Sequence, residues 1–107
     1  TWQAIQYGMT ITVGPSSQLP DIIEVANAYP NPFNPEISFT VDAPMGLPMQ
    51  VSVLDIEGLV VENIYSGRIL YSGFKVYWNA AQYPSGLYLL QTRWPSGSHV
   101  QKVTFLK

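Results

Sequence analysis

The stretch Tyr29-Pro30-Asn31-Pro32-Phe33-Asn34-Pro35 limits what this chain can become more than any other. Its three prolines fix three φ angles and remove three backbone donors, so neither a helix nor a central strand forms there. Tyr29, Asn31 and Asn34 each precede a proline and are pushed towards extended geometry. Asn31 and Asn34 can also close Asx turns on their own backbone. The expectation is a stiff, kinked lead-in, with Tyr29 and Phe33 as its only large apolar groups and hence its anchors onto a core. By composition alone such a segment fits a proline-rich linker. A regular strand pattern begins at once with Glu36, however, which argues that the prolines open a domain.

Downstream, apolar residues alternate with a period of two. Residues 22–28 (Ile22, Ile23, Val25) read as a short edge strand, and 36–42 place Ile37, Phe39 and Val41 on one face. A loop over 43–48 precedes a strand at 49–54. Asp55-Ile56-Glu57-Gly58 reads as a tight hairpin turn, Asp suiting its first position and Gly the left-handed one. The chain returns as a strand over 59–65, Ser66-Gly67 reads as a turn, and Ser72-Gly73 as a break or bulge. Strands follow at 74–78 (Phe74, Val76, Trp78 inward), at 86–94 with both faces partly apolar, as in a central strand, and at 99–107. Pro84 marks the 79–85 loop, and Pro95-Ser96-Gly97-Ser98 the last turn. No window has helical periodicity. The pattern predicts an all-β, Ig-like (fibronectin III-like) antiparallel β-sandwich of about seven strands over 21–107.

Residues 1–20 are expected to form a separate unit. Ile5, Tyr7, Met9, Ile11 and Val13 alternate with Gln6, Gly8, Thr10 and Thr12, so 1–13 read as a half-buried strand. Gly14-Pro15-Ser16-Ser17 and Leu19-Pro20 then break it off. Three readings stand: the last strand of an upstream domain, a strand folding back on its own domain, or an arm donated to a neighbouring copy.

Composition narrows the function classes. The net charge is −2 with five Lys+Arg, which builds no phosphate-binding face, so nucleic acid is not an expected partner. No cysteine is present for a disulfide frame or a thiolate metal site. No apolar run is long enough to span a membrane. No signal peptide starts the chain, so a secreted protein is expected here in processed or excised form. His99, the only histidine, follows a turn motif and is expected to face solvent. No serine sits in a nucleophile elbow, and Asp55 and Glu57 are explained by the turn they share. The carboxylates are dispersed, unlike a calcium site. The expectation is a chain with no catalytic centre, cofactor or metal. Among the aromatics, Trp78 sits mid-pattern and is expected in the core. Trp94, Tyr65, Tyr71, Tyr77 and Tyr83 are candidates for exposure, fit for an interface or, less readily, a sugar-stacking platform.

Five segments in order carry a family resemblance: the proline stretch, Leu54-Asp55-Ile56-Glu57-Gly58, Gly73 with Trp78-Asn79, Pro84-Ser85-Gly86-Leu87-Tyr88, and the terminal Lys102-Val103-Thr104-Phe105-Leu106-Lys107. Together they resemble the C-terminal sorting domain of the type IX secretion system, and are similar to the Ig-like domain of the flagellar hook-capping protein. The resemblance covers roughly residues 25–107. It implies an Ig-like domain on exported proteins of a Gram-negative-type bacterium, recognised at the outer membrane by the secretion machinery and often removed by a sortase-like peptidase. Gly86, Tyr88, Lys102 and Lys107 match the family's recurrent C-terminal positions. Secretion sorting and cell-surface attachment is thus the leading functional expectation. A self-assembling extracellular filament subunit, with 1–13 donated between copies of a homopolymer, is the alternative. An accessory carbohydrate-binding module is a third.

Overall fold

The computed structural model describes residues 23–107. The expected arm with Ile5, Tyr7, Met9, Ile11 and Val13, and the linker after it, lie outside the described residues. The chain forms seven strands: β1 Glu24–Val25, β2 Glu36–Asp42, β3 Pro48–Leu54, β4 Val60–Arg68, β5 Phe74–Asn79, β6 Gly86–Trp94 and β7 Gly97–Phe105. The described residues contain no helix. The strands pair antiparallel in two sheets, a three-stranded β1-β2-β5 and a four-stranded β4-β3-β6-β7. The fourth strand stays on the sheet of the third, which is the fibronectin III-like arrangement of an Ig-like sandwich.

Alternation builds the core. Ile37, Phe39 and Val41 of β2 and Phe74, Val76 and Trp78 of β5 meet Met49, Val51 and Val53 of β3, Tyr88 and Leu90 of β6, and Val103 and Phe105 of β7. Each such buried side chain contributes about 1.5–3 kcal/mol of transfer free energy before entropy is counted. β6 lies between β3 and β7, which explains why neither of its faces is strongly polar. The Tyr88 hydroxyl donates to the Pro84 carbonyl at 2.6 Å, a tyrosine corner of the kind that locks the entry to this strand in Ig-like sandwiches.

Several expectations change. Ser66-Gly67 is no turn: β4 runs on to Arg68, with Gly67 opposite Met49. The cause is Ile69, which is fully buried and tied by its N–H to Leu47 and by its carbonyl to Gly46, so the chain bends only from Tyr71 onward. Tyr29 is not a core anchor; it is 60% exposed, and its neighbour Ala28 is buried instead. Tyr29 exchanges both backbone bonds with Ser38, and directly opposed residues share a face, here the outer one. Asn31 closes no turn on itself but reaches β7. His99 sits within β7 opposite Thr92, half-buried, with Nδ1 out of solvent, because the strand begins two residues earlier than its turn-like sequence indicates. Tyr65, Tyr83 and Trp94 are half-buried against the core, whereas Tyr71 and Tyr77 are exposed.

Candidate functional site

The sandwich has two seams where the edge of one sheet faces the edge of the other. At the first, the proline stretch crosses from β2 to β7. Tyr29 bridges Ser38, and four residues later Phe33 bridges Phe105 in parallel, its N–H on the Thr104 carbonyl (2.9 Å) and its carbonyl accepting from Leu106 (3.0 Å). Between these points Asn31 accepts from the Thr104 N–H at 2.9 Å and donates to the Lys102 carbonyl at 3.3 Å. Gln101 completes the seam. Its Oε1 accepts from the Ala28 N–H at 2.7 Å and its Nε2 donates to the Ala26 carbonyl at 3.1 Å, so one side chain stands in for a missing strand pairing.

Buried aromatic rings unite the sequence motifs. Phe33 stacks on Phe105 (5.1 Å between centroids) and tilts against Trp78 (5.6 Å), which meets Tyr88 edge-on at 5.3 Å. Each ring comes from a different motif segment, so four distant stretches share one cluster. Such pairs add about 0.5–1.5 kcal/mol each beyond burial. The fifth motif lies at the same end, since Leu54 pairs with Leu89 three residues after Gly86. There the Asp55 carboxylate accepts from the Glu57 and Leu59 N–H groups (2.9 and 3.0 Å), and Gly58 takes φ +87°. Gly86 opens β6 at φ +155°, a conformation that L side chains rarely adopt; the space beside it is empty, so the constraint is backbone alone.

Apart from Gly73, which sits at the far end with its N–H on the Asp42 carboxylate, the five motifs thus meet at one pole, where β2 and β6 begin and β3, β5 and β7 end. Pro30, Asn31, Pro32 and Asn34 are exposed there, as are Lys102 and Lys107, while Pro35 is half-buried. The Lys107 N–H donates to the Ser85 Oγ at 3.0 Å. Ile56, Leu59, Val60, Leu87 and Leu106, all exposed, surround this pole on its four-stranded side. Scattered surface leucines are ordinary, but a cluster around one pole marks a surface fit for a partner.

At the second seam, Glu62 of β4 turns inward opposite Val53. Its Oε1 accepts from the Tyr83 hydroxyl (2.9 Å) and the Trp78 indole N–H (3.2 Å). That hydrogen bond to the Glu62 carboxylate, with burial second, holds the Tyr83 hydroxyl above its ordinary value of 10.0. Burial, and then the Asp55 charge, does the same to Tyr88. Neither is a proton donor poised for neutral pH. No group of acidic, histidine or cysteine side chains able to hold a metal occurs among the described residues.

Gln101 and Glu62 were not singled out from sequence. Gln101 left a signal, a polar residue on the inward register of Val103 and Phe105. Glu62 left none, because the bulges flanking Ser52 and Val53 shift which β4 residues point inward.

Residues 27–105 match the family described as the secretion system C-terminal sorting domain. No curated protein matches the sequence. Among solved structures, the dimeric latent PorU from Porphyromonas gingivalis is similar, with a TM-score of 0.64 at 20% identity over 82% of this chain. The chain spans only 10% of that protein's length, so this likeness is one of fold.

Proposed function

The chain belongs to the secretion system C-terminal sorting domain family, and from that we infer that its motif-bearing pole is the surface the outer-membrane secretion machinery reads. It is a non-catalytic, extracellular, cell-surface β-domain of a type IX secretion system in a Gram-negative-type bacterium. The single observation that carries the finer reading is convergence. Segments separated by more than 70 residues meet at one pole, and apolar side chains ring it where solubility alone would favour polar ones.

The chemistry suits recognition by a protein. The proline stretch is pre-organised by its fixed φ angles and by its bonds to β7, so binding there costs little ordering entropy. Leu87 and Leu106 supply apolar anchors, with Lys102 and Lys107 at the margin.

The test is a fusion of residues 23–107 to a periplasm-targeted passenger in a host with this machinery. The passenger should reach the surface, and Leu87→Ser with Leu106→Ser should hold it in the periplasm while the unfolding midpoint stays put. A parent fusion that never leaves the periplasm would refute the reading.

A second reading, self-assembly, rests on the outer edges of β4 and β5, each of which pairs on one side only. An extended arm from another copy would add there through main-chain bonds. Deleting residues 1–14 should then leave a folded monomer where the full chain polymerises. A full chain that stays monomeric at high concentration sinks this reading.

A further inference from the structure

We propose that the outer face of the three-stranded sheet is a binding platform for a neutral, extended, β-1,4-linked polysaccharide, with Tyr29 and Tyr77 as its stacking rings.

The geometry starts from register. Tyr29 opposes Ser38, and Ser38 opposes Tyr77, so the three lie in one row across the sheet and share its outer face. Ser38 is the small member between two large ones, which leaves a flat-bottomed gap flanked by rings. Tyr29 is 60% and Tyr77 67% exposed, so neither ring serves the core. The two backbones stand two strand spacings apart, about 10 Å. An extended β-1,4-linked pyranose chain turns over at each sugar and presents the same face again after two, a repeat of similar length. Each tyrosine therefore meets an equivalent sugar face, whose C–H groups carry partial positive charge and suit the negative face of an aromatic ring.

The surroundings favour a glycan over a protein partner. A protein interface wants apolar neighbours around its aromatic centre. Here the adjoining rows are polar: Glu36 opposite Asn79 on one side, Thr40 opposite Lys75 on the other. These groups are placed to bond sugar hydroxyls. Asn79 donates to Glu36 at 3.4 Å, a long bond easily traded for a hydroxyl, and the Lys75 ammonium sits over the Tyr77 ring at 5.9 Å from its centroid, a loose contact that a stacking sugar displaces. The platform is held ready, since Tyr29 is fixed by its two bonds to Ser38 and by Pro30 after it. Charge selects among glycans. Glu24, Glu36 and Asp42 lie on this face against a single Lys75, which disfavours polyanions.

The apolar anchors of the proposed sorting surface, Leu87 and Leu106, lie on the four-stranded side and not on this face, so failure here leaves that reading untouched. The test uses the full chain. Calorimetric titration with cellohexaose and gel mobility in hydroxyethylcellulose should both show binding. Tyr29→Ala and Tyr77→Ala should each weaken it by about tenfold or more, the scale of one lost stacking ring. Tyr71→Ala, at a half-exposed tyrosine off the row, should bind as the parent does, and Tyr29→Ala and Tyr77→Ala should keep the parent's unfolding midpoint. The proposal fails if the parent shows neither heat nor retardation, if Tyr71→Ala loses as much as the other two, or if alginate binds more tightly than cellohexaose. It fails equally if the parent forms a concentration-dependent dimer that Tyr77→Ala abolishes while no glycan binds, since the row is then a protein contact.

Discussion

Phe33 shows how one side chain can bind a proline-rich segment into a domain. Three prolines leave the stretch with few donors of its own, so its attachment to β7 falls to Phe33 and Asn31, while Tyr29 holds it to β2. Phe33→Ala removes the ring wedged between Trp78 and Phe105 and should cost about 3–5 kcal/mol in urea unfolding, the usual range for a buried phenylalanine. Tyr29→Ala, four residues earlier, should shift the midpoint hardly at all, because its ring is exposed and its bonds to Ser38 are backbone bonds. The tyrosines add a pH signature. Tyr83 and Tyr88 both titrate higher in the folded chain than their ordinary value of 10.0. A raised folded value means the proton is held more tightly in the folded state. Their contribution is therefore complete below pH 10 and lost as pH climbs through the folded values. Stability measured by urea unfolding should fall with pH above about 10. The fall should flatten in Tyr83→Phe with Tyr88→Phe; an equally steep fall in that double variant would show that these hydroxyls are not its source.

At the level of strands, alternation made β2, β5 and β6 legible within a residue or so, because each has one face in the core. The Asp55–Gly58 turn was equally legible, since its geometry depends on local side-chain chemistry. β4 was not: two bulges break its period, and the buried Ile69 beyond it carries the chain past a Ser-Gly pair that looks like a turn. The convergence of the motifs at one pole was only half visible. Their order could be read, but that Phe33 pairs with Phe105 is a contact across more than 70 residues with no local trace. The seams differ in how they are stitched, and this yields a comparison. Gln101→Leu leaves the buried Ala28 N–H without a partner and should cost about 1–3 kcal/mol. Glu62→Ala strips the acceptor from both Trp78 and Tyr83, with a cost of the same order, whereas Glu62→Gln keeps an acceptor oxygen and should cost less. Urea midpoints of the three variants check the ranking, and equal losses for Glu62→Ala and Glu62→Gln would mean that the charge, not the bond, matters at that seam.

For the whole molecule, the decisive circumstance is that the two ends of the matched region, 27 and 105, lie along the same seam. The last residues are therefore structural as well as available for recognition, and a truncation confounds the two. Removing Phe105, Leu106 and Lys107 deletes a fully buried ring, frees the Phe33 carbonyl, and breaks the bond from Lys107 to Ser85. The ring alone is worth about 3–5 kcal/mol, and a domain of this size has only about 5–15 kcal/mol in hand. Such a truncation should broaden or abolish the cooperative unfolding transition, and any loss of export would then say nothing about recognition. Leu87→Ser with Leu106→Ser separates the effects. Both side chains are exposed, so the unfolding transition should stay sharp at an unchanged midpoint. Export of a fused passenger should nonetheless fail. Export that survives the serine pair but fails in the truncated chain would show that the machinery needs only a folded sandwich and reads another part of its surface.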